Sequence, residues 1–241
     1  MELRIAHLYP TMMNIYADRG NIITLVKRCQ WRGIGVSVDD FGLGETPGWT
    51  AYDFFYLGGG QDREQTLVAR DLAGKGAGLI EAVEKDAVLL SICGGYQLLG
   101  RYYRTAAGET MPGLGLFQAH TVAGSKRLIG NVVIDSHLKG PGLILAGFEN
   151  HSGKTFLEEG QQPLGRVISG YGNNSEDRTE GAVYRGAVGT YLHGPLLPKN
   201  PELTDFLLER ALARRNGSEF TLEPLDDGLE RAAHRVAVGN H

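Results

Sequence analysis

The run Ala87-Val88-Leu89-Leu90-Ser91-Ile92 passes straight into Cys93-Gly94-Gly95 and then the short stretch Tyr96-Gln97-Leu98-Leu99. No other segment restricts the fold as much. The run is apolar but for Ser91, bounded by turn-forming residues, and too short for a buried helix. It fits a central parallel strand covered on both faces. Covering both faces takes helices, and the surrounding sequence supplies them. Leu3 to Leu8 reads as a first strand, Asn21 to Arg32 as a helix, Ile34 to Phe41 as a second strand, and Tyr52 to Leu57 as a third that ends in Gly58-Gly59-Gly60. Asp62 to Lys85 is helical in pattern, although Gly74, Gly76 and Gly78 weaken its middle. Strand-helix alternation of this kind predicts a doubly wound α/β fold.

The second half has a different texture. Leu114 to Val122, Val132 to Ser136, Ile144 to Phe148, Arg166 to Ser169 and Ala182 to Leu192 read as short strands between Gly-rich turns. Pro201 to Arg214 is a helix with Pro at its start and arginines at its end, where cations suit the dipole. The expected fold is therefore α/β, with a central, mostly parallel sheet flanked by helices and added β-rich segments in the second half. One domain over residues 1–214 is expected, followed by a tail, 215–241, of uncertain order.

Composition narrows the function. The 241 residues carry a net charge of -4, which favours neither nucleic acid nor anionic lipid. No apolar run reaches membrane-spanning length, and the N-terminus lacks the charged and apolar regions of a signal peptide. Two cysteines, Cys29 and Cys93, offer no disulfide framework or metal-ligand spacing, so free thiols in a reducing cytoplasm and no bound metal are expected. In that compartment the sequons at Asn150, Asn173 and Asn216 carry no meaning. Gly153-Lys154-Thr155 resembles the end of a phosphate loop, but position 148 is Phe148 where glycine is required, so no nucleotide site is read in this chain.

Open α/β sheets carry their sites at the carboxyl ends of the strands. Gly58-Gly59-Gly60 and Cys93 both fall at such ends. Cys93 occupies a sharp strand-to-helix turn, the form of a nucleophile elbow, with small residues after it. The helix N-terminus would favour its thiolate, and the Gly94 amide would donate to an oxyanion, with a second donor from the Gly59 or Gly60 region. A buried structural thiol is the alternative, and it is the preferred reading for Cys29, expected to face the sheet from its helix. A nucleophilic Cys needs a base. Among the seven histidines, His7, His137 and His234 read as structural or surface residues, His120 as a bystander in a strand, and His241 is terminal. His151 and His193 each follow a strand end, and local sequence does not rank one above the other.

Four segments together resemble a known family: Leu57-Gly58-Gly59-Gly60-Gln61-Asp62, Ser91-Ile92-Cys93-Gly94-Gly95-Tyr96-Gln97, Gly147-Phe148-Glu149-Asn150-His151 and Gly189-Thr190-Tyr191-Leu192-His193-Gly194. Their order is that of class I glutamine amidotransferases of the cobyric acid synthase type. Gly172 to Asp177 and Tyr191 to Pro201 look more specifically like the glutaminase subunits of lipid II isoglutaminyl synthases. The resemblance implies that Cys93 attacks the carboxamide of L-glutamine and that His193 is its base and acid. It implies that Arg127 grips the substrate carboxylate, as a guanidinium can do bidentately. It further implies a MurT-like Mur ligase partner that binds ATP and Mg, receives ammonia and amidates D-glutamate of lipid II, with no cofactor in this chain. Many class I members place an orienting Glu two residues after the His. Here that residue is Pro195, so the acid is absent, supplied elsewhere in the chain, or supplied by the partner. The rival readings are the amidotransferase part of a cobyrinate-type amide synthase and a catalytically silent binding module.

Overall fold

The computed structural model describes residues 2–14, 19–140 and 142–239. The chain runs β1 (Glu2–Leu8), α1 (Arg19–Gln30), β2 (Gly35–Phe41), β3 (Phe54–Leu57), α2 (Asp62–Glu84), β4 (Val88–Ile92) and α3 (Gly94–Leu99). It continues through β5 (Tyr102–Arg104), β6 (Thr110–Pro112), β7 (Ala119–Ser136), β8 (Leu143–Leu157), β9 (Gly165–Ser169), β10 (Thr179–Glu180), β11 (Ala182–Tyr184) and β12 (Ala187–Thr190). The final helices are α4 (Leu196–Lys199), α5 (Pro201–Asn216) and α6 (Gly228–Gly239).

The first sheet has the order β11-β12-β4-β3-β1-β2, and all its pairings are parallel except that of the edge strand β11. β3, β4 and β12 are buried at every residue, as the unbroken apolar run at β4 requires. α1 and α2 supply part of the cover through Ile22, Leu25 and Cys29 and through Val68, Leu72, Leu79 and Val83. Burial pushes the Cys29 thiol up to about 11, which suits packing and not chemistry. The glycines of α2 have a packing reason. A side-chain carbon at Gly76 would collide with Leu114, and one at Gly78 with Trp49. The helix accepts lower propensity there so that the chain can lie against it.

The second sheet is built on the hairpin of β7 and β8, joined by β9 and β10 along one part of β7 and by β5 and β6 along another. Three sequence expectations need correction here. Val132 to Ser136 and Ile144 to Phe148 are not separate short strands, because each is part of a much longer one. Residues 114–118 are not strand. Leu114, Gly115 and Phe117 instead donate to the carbonyls of Leu98, Gly100 and Leu99 at the end of α3. Ala182 to Leu192 folds back on itself as β11 and β12, turning at Arg185, whose φ is 51°.

The segment after α5 returns to the body of the protein. Arg28 of α1 is 2% exposed and donates to both oxygens of Asp205 in α5 (2.6 and 2.7 Å) and to both oxygens of Asp227 (2.7 and 2.8 Å), just before α6. The hydrogen bonds from Arg28 hold the Asp227 carboxyl below the usual range. One guanidinium thus ties three parts of the chain together. Replacing Arg28 with Ala would strip Asp227 of both its bonds to α1 and leave Asp205 to Arg32 alone (2.7 Å), and it is expected to cost on the order of 3 kcal/mol in urea unfolding. A loss below about 1 kcal/mol would mean that α6 is held by other contacts.

Candidate active site

The carboxyl ends of β3, β4 and β12 lie side by side, and the β7–β8 hairpin of the second sheet lies over them. Between them is a cavity of about 670 Å³ whose lining includes Gly60, Glu64, Gln65, Cys93, Arg127 and His151. Cys93 joins β4 directly to α3 with φ 49° and ψ -107°, a conformation that L-residues rarely adopt. Such a residue costs of order 1–3 kcal/mol and persists only where its surroundings impose it. Several contacts impose it here. The Cys93 amide donates to Thr190 O at the end of β12 (2.8 Å). A Cβ on Gly95 would lie 2.7 Å from the carbonyl oxygens of both Leu57 and Gly58, so only glycine lets α3 start so close to the end of β3. A Cβ on Gly94 would lie 3.0 Å from the Gly60 amide nitrogen. The two residues expected to form an oxyanion hole are therefore neighbours across this gap.

Arg127 lies where the pairing of β7 with β8 shifts register between Ala123 and Leu128. Its Nε donates to Asn150 Oδ1 at 2.5 Å, and both residues line the cavity. His151 also lines it. Its Nδ1 is 2.7 Å from Gly153 O, which can only accept, so Nδ1 carries the proton. Its ring stacks on Tyr191 with centroids 3.6 Å apart and planes 6° apart. Its Nε2 is 3.7 Å from Glu149 Oε2. His193 is placed differently. It is fully buried three residues beyond β12, and its backbone pairs with Phe148 through two hydrogen bonds (2.8 and 3.1 Å). It stands at the end of the strand next to the one that carries Cys93, but it is not part of the cavity lining. His7 and His120 lie in β1 and β7, and His234 Nδ1 is 2.8 Å from Lys199 O. His241 lies outside the described residues. Among the described residues no group of His, Cys, Asp or Glu is arranged to hold a metal ion.

The supporting network was not legible from the motifs. Gln97 of α3 donates to Tyr191 Oη (3.0 Å), which also bonds Thr155 Oγ1 (2.6 Å). Glu149 accepts the amides of Tyr171 and Gly172 (2.6 and 2.8 Å). Glu180 accepts Thr190 Oγ1 and the Tyr191 amide (2.6 and 2.8 Å). Thr190, the last residue of β12, provides the carbonyl that holds Cys93, and Tyr191, the next residue, provides the ring that carries His151. Glu149 and Asn150 adjoin a quoted histidine, which was a usable hint. Glu180 lies in a short polar segment with no such mark.

A CobB/CobQ-like glutamine amidotransferase domain matches residues 4–201. The chain belongs to this family. It is 44% identical over 239 residues to the "lipid II isoglutaminyl synthase (glutamine-hydrolyzing) subunit GatD" of Staphylococcus aureus, covering 98% of this chain and 95% of that protein. The protein of the same description from Streptococcus pneumoniae is 40% identical, covering 95% and 88%. A cobyric acid synthase of Pelotomaculum thermopropionicum is 32% identical over 77% of this chain but only 38% of its own length. Among solved structures, a glutamine amidotransferase superposes with TM-score 0.55 at 16% identity, covering 86% of this chain and 98% of that one. The glutaminase domain of Trypanosoma brucei CTPS with bound acivicin gives 0.54 at 12%, covering 92% and 96%. Both place the CobB/CobQ-like chain in the amidotransferase fold.

Burial raises the Glu180 carboxyl from 4.5 to about 7, against the hydrogen bonds from Thr190 and Tyr191 and with further help from Glu149. Between these two values the folded chain keeps a proton that the unfolded chain releases. The contribution of Glu180 to stability is therefore complete below about pH 4.5 and is lost as pH rises through 7. Glu180→Gln should gain stability relative to the parent as pH is raised from 4.5 to 8. A difference in urea midpoint that does not vary with pH would show that Glu180 does not titrate in this window.

Proposed function

We propose that this chain is the glutaminase subunit of a lipid II isoglutaminyl synthase. Cys93 attacks the carboxamide carbon of L-glutamine while His193 takes the thiol proton. The tetrahedral oxyanion is held by the Gly60 and Gly94 amides. His193 returns the proton to the leaving nitrogen, ammonia departs, and water hydrolyses the thioester to glutamate. Arg127 receives the α-carboxylate. The ammonia passes to a MurT-like ligase subunit, which carries ATP and Mg and amidates the D-glutamate of the peptidoglycan precursor. The assembly works in the cytoplasm, where ATP and reduced thiols are available.

The observation that carries this reading is the end-to-end match to two GatD subunits, in a chain whose Cys93 is strained into an elbow at a cavity. The cobyrinate-type reading is weaker, because the cobyric acid synthase is 32% identical where the two GatD subunits are 44% and 40% identical. A silent module would have no reason to maintain a strained thiol beside two close-packed glycine loops.

The test is glutamine hydrolysis by the full chain with and without the ligase subunit. Cys93→Ala should abolish it and leave the circular dichroism spectrum unchanged, whereas Cys29→Ala should hydrolyse at the parental rate. Appreciable hydrolysis by a folded Cys93→Ala protein would remove the thioester from the mechanism. Arg127→Ala should raise KM for glutamine by about 30-fold or more, the effect of losing a charge-assisted pair. Arg127→Lys should recover only part of the loss, because an ammonium cannot form the bidentate fork. Parental KM in Arg127→Ala would refute the carboxylate role.

A further inference from the structure

The cavity contains a carboxylate that the steps above do not use. Glu64 lies in the first turn of α2, half-buried, and lines the same cavity as Cys93 and Arg127. Its Oε2 is fully buried and takes no hydrogen bond among the described residues. A buried carboxylate oxygen without a donor is costly. The group lies at the positive end of α2, where an acidic side chain is favoured. A Glu at this third helical position can reach back to cap the helix start, but that would not account for Oε2, which stands without a partner.

Next to it, Gln65 gives its Nε2 to Gly60 O (2.9 Å) and leaves its own Oε1 buried without a donor. Glu64 and Gln65, each with a buried acceptor in want of a donor, therefore line the same cavity as the nucleophile and the Arg127 guanidinium steadied by Asn150. An α-amino acid brings both an ammonium and a carboxylate, and this wall answers each charge with its opposite.

We propose that Glu64 receives the α-ammonium group of glutamine, with Gln65 Oε1 as a second acceptor, and that it makes the site select α-amino acid amides over amides lacking the amino group. The proposal rests on the glutaminase reading. That reading assigns the α-carboxylate to Arg127 and the carboxamide to Cys93, and it leaves the third polar group of the substrate without a partner. An ammonium with three donors fits a carboxylate with a free oxygen and a neighbouring amide oxygen.

The experiment compares kcat/KM for glutamine with that for glutaramate, which is glutamine without its α-amino group, using the full chain. The parent protein should prefer glutamine. In Glu64→Gln the preference should fall by about 30- to 100-fold, since only glutamine loses a charge-assisted hydrogen bond. Glu64→Asp, which keeps the charge on a shorter stem, should retain part of the preference. A purely structural role would slow both substrates together and leave the ratio unchanged, and that result would overturn the proposal while the glutaminase reading stands. Hydrolysis of neither substrate by the parent protein would overturn both.

Discussion

The site depends on one backbone hydrogen bond, from the Cys93 amide to Thr190 O. It joins the ends of two central parallel strands just where the chain enters an unfavourable conformation. Together with the close packing of Gly94 and Gly95 against the end of β3, it holds the turn that presents the sulfur to the cavity. The cost of the Cys93 backbone, of order 1–3 kcal/mol, is small beside the burial of β3, β4 and β12. The sheet therefore decides the contest, and the strain remains at the thiol.

The second sheet completes what the first begins. It brings Arg127, Asn150 and His151 over the strand ends, and a set of hydrogen bonds ties it to the end of β12. Glu180 holds Thr190 and Tyr191, Tyr191 stacks on His151 and meets Gln97 and Thr155, and Glu149 holds the turn at Tyr171 and Gly172. Most of this network is paired, which favours a single arrangement, while His151 Nε2 and Glu180 Oε2 take no hydrogen bond among the described residues. Rigidity at the carboxyl edge is what a thiol nucleophile needs, because its attack geometry has to exist before the substrate arrives.

Much of the first half could be read from sequence because both faces of β3 and β4, and most of β1, are buried. β1, β3 and β4 are apolar runs, and the helices between them show one apolar face. The elbow was readable for the same reason: an apolar strand ending in Cys-Gly-Gly leaves few conformations. The β7–β8 hairpin was not readable as one unit. Ser125, Lys126 and Arg127 at its register shift, and Asn150 to Lys154 opposite, are polar or small, so the strand pattern breaks where the sheet serves the cavity. α6 was missed because none of its residues is buried and its anchor, Arg28, lies far away in sequence. Local sequence left His151 and His193 level, and the structure separates their settings: one lines the cavity, the other is buried beside the strand end. Glu64 reads as an ordinary first-turn acid until the cavity next to it is seen.

The central claim is that Cys93 is a nucleophile presented to a glutamine-shaped site. The most direct measurement is intact and peptide mass spectrometry after treatment of the full chain with 6-diazo-5-oxo-L-norleucine, a glutamine analogue that alkylates a thiol positioned to attack the carboxamide. One adduct, on Cys93 and suppressed by excess glutamine, is the predicted result. No adduct, or equal labelling of Cys93 and Cys29 unaffected by glutamine, would contradict the account.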